Sequence, residues 1–189
     1  MYPVLRMLWG GLKARRQSPI ALLDTHVSHH ICMPWDIDLW RELNNGRTLT
    51  LYDLGRIPLA IRTGMIRHLA KNKWGLTIAA ANVRYRRRIV MFEKFEMRSR
   101  AIGWDDKFFY MEQSIWKQSG ECANHAIYRT AIISKKGMVR APLVMQSFAP
   151  DLAAPVLPKW VQDWIAAEEI RPWPPMQENL NPQLSVVNS

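Results

Sequence analysis

The sequence has few of the residues that build disulfide-bonded or metal-dependent domains. Its 189 residues include only two cysteines, Cys32 and Cys122, which lack Cys-x-x-Cys spacing. We therefore expect no disulfide framework and no zinc site, a reducing compartment, and two thiols that act as small core residues. None of the five histidines has a spacing typical of metal ligands, so the pattern predicts no metal.

The sequence also lacks a hydrophobic run long enough to cross a bilayer. The apolar stretch near the N-terminus is interrupted by Gly10 and Gly11, so no transmembrane helix is predicted. No small-residue cleavage site follows closely, which argues against a secretory signal. Two alternatives stay open for residues 1–16: a weak membrane-surface contact or a segment that packs on the domain. We expect a cytoplasmic location, and a position peripheral to the inner membrane surface is the alternative.

Acidic residues are scarce relative to basic ones. Sixteen Asp and Glu stand against 26 Lys and Arg, which gives a formal charge of +10 at pH 7. This balance favours an anionic partner such as nucleic acid, an anionic membrane or a phosphorylated small molecule. Because the basic residues are scattered and form no nucleic-acid recognition motif, we expect no nucleic-acid partner.

The remaining pattern predicts one α+β domain with additions at both ends. Strand-like residues occupy 23–33, and apolar residues at helical spacing predict a helix that begins at Asn45 and is divided by Pro58. Its apolar stripe should face a sheet through Leu49, Tyr52 and Ile61.

Five strand-like stretches follow Gly75, and turn residues separate them. They predict an antiparallel meander whose last strand lies within residues 139–148. We divide the chain into an N-terminal basic and apolar extension at residues 1–22, a domain at 23–150, and a C-terminal segment at 151–189 with a short helix and a Pro-rich tail.

The junction between the first strand and the helix contains the stretch "WDIDLWRELNNGRTLTLYDLGR", from Trp35 to Arg56. Aspartate and asparagine favour turns and helix N-caps, so one interpretation is purely structural. The other is acyl chemistry, because a carboxylate beside the free N–H groups of a helix start can activate water while those groups polarise a carbonyl. Of the two asparagines, we expect Asn45 to cap the helix.

Three stretches together resemble the hotdog-fold acyl-coenzyme A thioesterases, in the thioesterase-like branch of the 4-hydroxybenzoyl-coenzyme A thioesterase superfamily. They are the stretch quoted above, "RYRRRI" and "RAIGWDDKFFY". The resemblance covers residues 25–148. It implies a long antiparallel sheet wrapped around a central helix, and a homodimer or tetramer, since hotdog sites are usually built between subunits.

The resemblance also implies roles for individual residues. The catalytic carboxylate of the family falls on Asp38, and the Asn-Asn pair that opens its central helix falls on Asn44 and Asn45. The helix N-terminal N–H groups around Asn45 and Gly46 would polarise the thioester carbonyl. Asp36 is interpreted as a turn residue. The chain departs from the family where Glu42 replaces a histidine and where Thr48 replaces a tyrosine.

The arginines of "RYRRRI" are candidates for coenzyme A binding. In a strand, Arg84, Arg86 and Arg88 would share one face and Arg87 the other. Planar guanidinium forks at Arg86, Arg87 and Arg88 suit the phosphates of coenzyme A. The alternative is a solvated basic edge that discourages aggregation.

Two functions follow from the sequence. The first is acyl-coenzyme A thioesterase activity that needs no cofactor, because the coenzyme A moiety is part of the substrate. The second is a non-catalytic acyl-ligand or membrane-associated binding protein with the same fold, which the replacements at Glu42 and Thr48 favour.

Overall fold

A computed structural model describes residues 2–176. The described residues divide into two compact units, with the boundary between Pro155 and Val156. The division into an extension at 1–22, a domain at 23–150 and a C-terminal segment stays a prediction. Within the described part of the chain, no helix has the length and apolar character needed to cross a bilayer.

The described part of the first unit contains five α-helices, one 3-10 turn at Pro34–Asp36 and six strands. The helices are α1 (Val4–Arg16), α2 (Asn45–Leu51), α3 (Asp53–Arg62), α4 (Met65–Lys71) and α5 (Ala141–Phe148). The strands are β1 (His26–Ile31), β2 (Gly75–Tyr85), β3 (Lys94–Trp104), β4 (Phe108–Lys117), β5 (Cys122–Ser134) and β6 (Gly137–Val139).

The second unit contains α6 (Lys159–Glu169), which is the short helix predicted from the sequence. Residues 177–189, which include part of the predicted tail, lie outside the described residues.

All strand pairs in the sheet are antiparallel, with the order β1-β3-β4-β5-β2 and with β6 paired to β5. Alternating side chains of β3, β4 and β5 point inward, so that Phe95, Met97 and Ile115 are buried. They pack in one core cluster with Leu51 and Leu54 of the helices. The predicted α+β architecture, an antiparallel sheet against a central helix, is confirmed.

The central helix is not interrupted at Pro58, where the sequence predicts a break. Pro58 lies inside α3, and the interruptions fall at Tyr52 and Gly64. Tyr52 keeps helical dihedrals (φ −59°, ψ −23°), so α2 and α3 follow one another with only a local irregularity. Packing of α3 between the sheet and α1 outweighs the local cost of a proline that cannot donate a backbone hydrogen bond.

The predicted inward stripe is only partly correct. Tyr52 is fully buried, whereas Leu49 is exposed. Ile61 lies against α1, because a Cβ placed on Gly11 would be 3.5 Å from the Ile61 Cδ1. The helix therefore has two packed faces, one on the sheet and one on α1.

Two further predictions about elements are wrong. Residues 141–148 form α5 and not a strand, because Pro142 stands in the first helical turn, where a missing N–H costs nothing. Strand β2 ends at Tyr85, so the arginines that follow lie in a loop and do not alternate across a strand. The backbone N–H groups of Arg86 and Arg87 both donate to the Ala123 carbonyl.

Candidate functional site

The segment between β1 and α2 is folded back on itself by a short turn. Ile37 and Leu43 pair as an antiparallel bridge, and the Asp38 N–H donates to the Glu42 carbonyl at 2.9 Å. At the tip of this turn Arg41 has a positive φ of 59°. The Leu43 N–H then donates to the Ile89 carbonyl at 2.8 Å, which fixes the turn beside the loop that follows β2.

Asp36 is a fully buried carboxylate. Its oxygens accept hydrogen bonds from Arg6 Nη1 at 2.7 Å, Arg47 Nε at 2.6 Å and the Met33 N–H at 3.0 Å. Burial alone would raise the pKa of this carboxyl, but the hydrogen bonds from Arg47, Met33 and Arg6 outweigh it and lower the pKa. Asp36 is thus an ionised group that joins α1 and α2 to the turn.

Asp38 is partly exposed and has two different oxygens. Its Oδ1 accepts from the Trp40 N–H at 2.9 Å and from the Glu42 N–H at 3.4 Å. No donor within residues 2–176 reaches Oδ2. One oxygen therefore orders the turn, and the other is available to a ligand or to water.

Asn44, and not the predicted Asn45, caps α2. The Asn44 Oδ1 accepts from the Arg47 N–H at 2.9 Å. In the described chain, the N–H groups of Asn45 and Gly46 have no acceptor, as expected for the first residues of a helix. The Asn45 carbonyl accepts from the Tyr85 hydroxyl at 3.1 Å, which ties this helix start to the end of β2.

A cleft of about 240 Å³ lies between the start of α2 and the loop after β2. It is lined by Glu42, by Asn45 and by the three consecutive arginines Arg86, Arg87 and Arg88. Asp38 is not among the lining residues. The structure therefore brings four of the predicted site residues to one cleft together with Glu42, and it leaves Asp38 on the adjoining turn.

Acidic partners engage two of the three arginines. Arg88 Nε lies 2.7 Å from Glu42 Oε2, and Arg87 Nε lies 2.8 Å from Glu121 Oε1. Arg86 has no acidic partner within the described chain. Because these side chains are exposed, their ion pairs contribute little to stability and can be exchanged for an anionic ligand.

Sequence patterns did not reveal the walls of the cleft. Asn124 also lines it, and its Oδ1 accepts from the buried Tyr52 hydroxyl at 2.5 Å. Burial raises the pKa of Tyr52 well above its ordinary value, so this hydroxyl stays protonated. Asn124 and Tyr52 come from β5 and from the end of α2, and only the strand register could have placed them here.

Among the described residues, the arrangement offers a carboxylate oxygen and two backbone N–H groups without hydrogen-bond partners, beside a basic rim. No group of three or more histidine, cysteine or acidic side chains among the described residues could hold a metal ion. Residues 32–165 match the family model described as the thioesterase-like superfamily. The chain belongs to this superfamily.

The chain is similar in sequence to "Protein THEM6" of Danio rerio. The two are 35% identical over 116 residues, which are 61% of this chain and 57% of that protein. The chain thus spans little more than half of this relative's length.

Solved structures share the fold at low identity. YbaW of Escherichia coli superposes with a TM-score of 0.60 at 15% identity, over 64% of this chain and 93% of that one. The 1,4-dihydroxy-2-naphthoyl-CoA thioesterase of Synechocystis superposes with a TM-score of 0.58 at 11% identity, over 68% and 98%. The hotdog fold is therefore confirmed, and superfamily membership points to thioester hydrolysis as the general class of chemistry.

Proposed function

We propose that this thioesterase-like chain hydrolyses an acyl-coenzyme A to a carboxylic acid and free coenzyme A. The observation that carries the proposal is the juxtaposition at the start of α2. Asn45 and the three arginines line one cleft, and the Asp38 oxygen that no described donor reaches lies on the adjoining turn. The N–H groups of Asn45 and Gly46 have no acceptor in the described chain. Thioester hydrolysis uses each of these features.

Thioester hydrolysis makes modest demands on a protein. The leaving thiol has a pKa of roughly 8.5, similar to that of free cysteine, so it departs without a strong general acid. An activated water or nucleophile and a polarised carbonyl are sufficient.

Asp38 is the proposed catalytic carboxylate. Its Oδ2 would accept a proton from the attacking water or attack the acyl carbon directly, while Oδ1 keeps its hydrogen bonds to the turn. Glu42 is the competing carboxylate, because it lines the cleft. The Glu42 Oε2 is engaged by Arg88, whereas no described donor reaches the Asp38 Oδ2, and this difference favours Asp38.

The N–H groups of Asn45 and Gly46 would donate to the thioester oxygen as negative charge develops on it. Backbone donors are useful here because the helix fixes their direction before the reaction begins. The Tyr85 bond to the Asn45 carbonyl restrains the first residue of the helix and supports this role.

Arg86, Arg87 and Arg88 would bind the phosphates of coenzyme A. Arg86 has no acidic partner in the described chain, and Arg87 would exchange the exposed Glu121 for a phosphate oxygen. Arg88 would donate its remaining N–H groups while its Nε keeps Glu42. No separate cofactor is proposed, since coenzyme A enters as part of the substrate.

We also propose that the active protein is a homo-oligomer, a dimer or a tetramer. Strand β2 is the edge of the sheet, is 11 residues long and is exposed along most of its length. Such an edge presents unpaired backbone groups that a second strand can bind. This edge ends at Tyr85, beside the cleft, so a second copy paired there would lie close to the site.

A non-catalytic acyl-ligand binding protein is the second candidate. The observation that favours it is the ion pair between Glu42 and Arg88, which engages one carboxylate of the cleft. In addition, the Thr48 hydroxyl is buried and donates to the Asn44 carbonyl. It is therefore not available to a ligand, unlike the hydroxyl of the tyrosine that the family usually has at this position.

Steady-state hydrolysis separates the two candidates. The wild-type protein would be assayed with aliphatic and aromatic acyl-coenzyme A esters through release of the free thiol. Saturable turnover supports the enzyme. Binding of the same esters by calorimetry without thiol release supports the binding protein, and absence of both binding and turnover overturns both candidates.

A further inference from the structure

Helix α1 packs its small residues against the domain and exposes most of its large apolar ones. A Cβ placed on Gly10 would be 3.7 Å from the Pro58 Cγ of α3, and Ala14, one turn further along, is 2% exposed. Glycine and alanine therefore let α1 approach α3 closely. This is the reverse of an ordinary amphipathic surface helix, which buries its large apolar side chains.

Four large apolar residues of α1 form one exposed stripe, whereas Met7 packs against the core. Leu5 is 83% exposed and Trp9 is 70% exposed, and Leu8 and Leu12 are more than half exposed. Their spacing of three and four residues places all four side chains on the same face of the helix. A contiguous apolar patch of this kind marks a binding surface more often than a solvated one.

The charges of α1 all have one sign. Its sequence VLRMLWGGLKARR contains four basic residues and no acidic residue. Lys13, Arg15 and Arg16 lie in the last turn, and none of the three has an ion-pair partner among residues 2–176. These cations stand next to the apolar stripe.

The helix is fixed to the domain by specific bonds. Arg6 Nη1 bonds to Asp36 at 2.7 Å and Nη2 bonds to the Ile31 carbonyl at 3.0 Å. Trp9 and the exposed Trp35 line one groove of about 540 Å³ between α1 and β1. The exposed stripe thus continues onto a second indole, and it is held in a defined orientation.

We propose that the exposed face of α1, together with Trp35, is a docking surface for an anionic lipid bilayer. The helix would lie in the plane of the interface, with its leucines at the acyl boundary. The indoles of Trp9 and Trp35 would lie at the level of the headgroups. Lys13, Arg15 and Arg16 would contact anionic headgroups.

Charge complementarity decides between a bilayer and a second copy of the chain. Two α1 helices face to face would bring eight basic residues together with no acid from either helix to compensate. The protein also carries a net charge of +10, which favours an anionic surface. The inference does not depend on the proposed hydrolysis, because the surface lies outside the cleft.

Vesicle binding of the full chain tests the inference. We expect co-sedimentation with vesicles in which about a third of the lipid is phosphatidylglycerol, much weaker binding to pure phosphatidylcholine, and a decrease with added salt. Leu5→Gln/Trp9→Gln should weaken binding at least about tenfold, because two apolar side chains that the bilayer would bury are lost. Arg15→Glu/Arg16→Glu should weaken it at least as much, since each cation contributes about fivefold.

Matched variants control for hydrophobicity and charge. Ile170→Gln/Trp173→Gln changes two other highly exposed apolar residues, and Lys135→Glu/Lys136→Glu changes two cations in the β5–β6 turn. Both should bind like wild type, with unchanged circular dichroism. Equal loss of binding in the controls, or undiminished binding of Leu5→Gln/Trp9→Gln, overturns the inference. If wild type does not bind anionic vesicles, the inference is overturned. If, in addition, wild type self-associates and Leu5→Gln/Trp9→Gln does not, the stripe is the binding surface for a second copy.

Discussion

At the scale of single residues, Asp36 connects three segments of the domain. Its carboxylate accepts from Arg6 of α1, from Arg47 of α2 and from the backbone of Met33. Two of these donors are cations that are themselves largely shielded from water. Removing the carboxylate would therefore leave two partly buried positive charges without compensation, which costs more than a lost surface pair.

We predict that Asp36→Asn lowers the free energy of unfolding by about 3 kcal/mol at pH 7. The folded-state pKa of Asp36 lies below its ordinary value of 3.8. Its contribution is therefore complete above the unfolded pKa and is lost as the pH falls through the lowered value. Urea unfolding at several pH values measures this, with the surface variant Asp106→Asn as control. Equal stabilities of wild type and Asp36→Asn at pH 7 would contradict the prediction.

The arginine rim provides a second prediction at this scale. Arg86→Gln/Arg87→Gln should raise the KM for an acyl-coenzyme A about tenfold and leave the KM for a short thioester without the nucleotide nearly unchanged. Arg88 is kept, because its loss would also release Glu42. Steady-state kinetics with both substrates measures the ratio, and Lys135→Gln/Lys136→Gln is the control. A parallel rise for both substrates would assign the arginines to folding or solubility.

At the scale of secondary-structure elements, the close approach of α3 to the sheet depends on Gly55. A Cβ at this position would lie 2.7 Å from Met97 Sδ and closer still to Ser99 Oγ. Both neighbours are fully buried side chains of β3, so they have little room to move. Any larger residue must push α3 away from the strands.

Gly55→Ala is therefore predicted to destabilise the domain by about 1–3 kcal/mol, the usual cost of overpacking. Gly10→Ala is the matched control, because its Cβ would meet ordinary contact distances and would improve helix propensity by about 1 kcal/mol. Thermal unfolding of the two variants should shift in opposite directions. A Gly55→Ala protein as stable as Gly10→Ala would show that α3 is not packed as described.

Local sequence signals predicted most elements, and the exceptions have identifiable causes. The strands were predictable because β-branched and aromatic residues alternate between clear turn residues. Segment 141–148 was misassigned because its apolar run is too short for periodicity to distinguish a strand from a helix. Pro58 was misread as a break because its packing on Gly10 of α1 is a tertiary contact.

The candidate site was predictable only in part, because some of its contacts join residues that are far apart in the sequence. The motif residues around the helix start follow from the sequence, since capping and turn chemistry are local. The burial of Asp36 depends on Arg6, which lies 30 residues away in the chain. The pairing of Glu42 with Arg88 depends on the bond between Leu43 and Ile89.

At the scale of the whole molecule, the free edge of β2 predicts assembly. We expect wild type to sediment as a dimer or a larger oligomer. Ala79→Lys/Ala81→Lys, at two exposed positions of this edge, should produce a monomer by charge repulsion between paired strands. The control is Val27→Lys/His29→Lys on β1, the opposite edge of the sheet. A monomeric wild type, or a dimer lost only in the β1 variant, would contradict assembly through β2.

The central claim is that Asp38, on the 38–42 turn, is the catalytic carboxylate of thioester hydrolysis, and Asp38→Asn tests it most directly. Asparagine has nearly the same volume and can keep the hydrogen bonds from the Trp40 and Glu42 N–H groups, so circular dichroism and stability should stay close to wild type. We predict that kcat/KM for an acyl-coenzyme A falls about 10²- to 10⁴-fold. Glu42→Gln, measured in parallel, should lose far less. Wild-type kcat/KM in folded Asp38→Asn protein would contradict the account, and a selective loss in Glu42→Gln would move the catalytic role to Glu42.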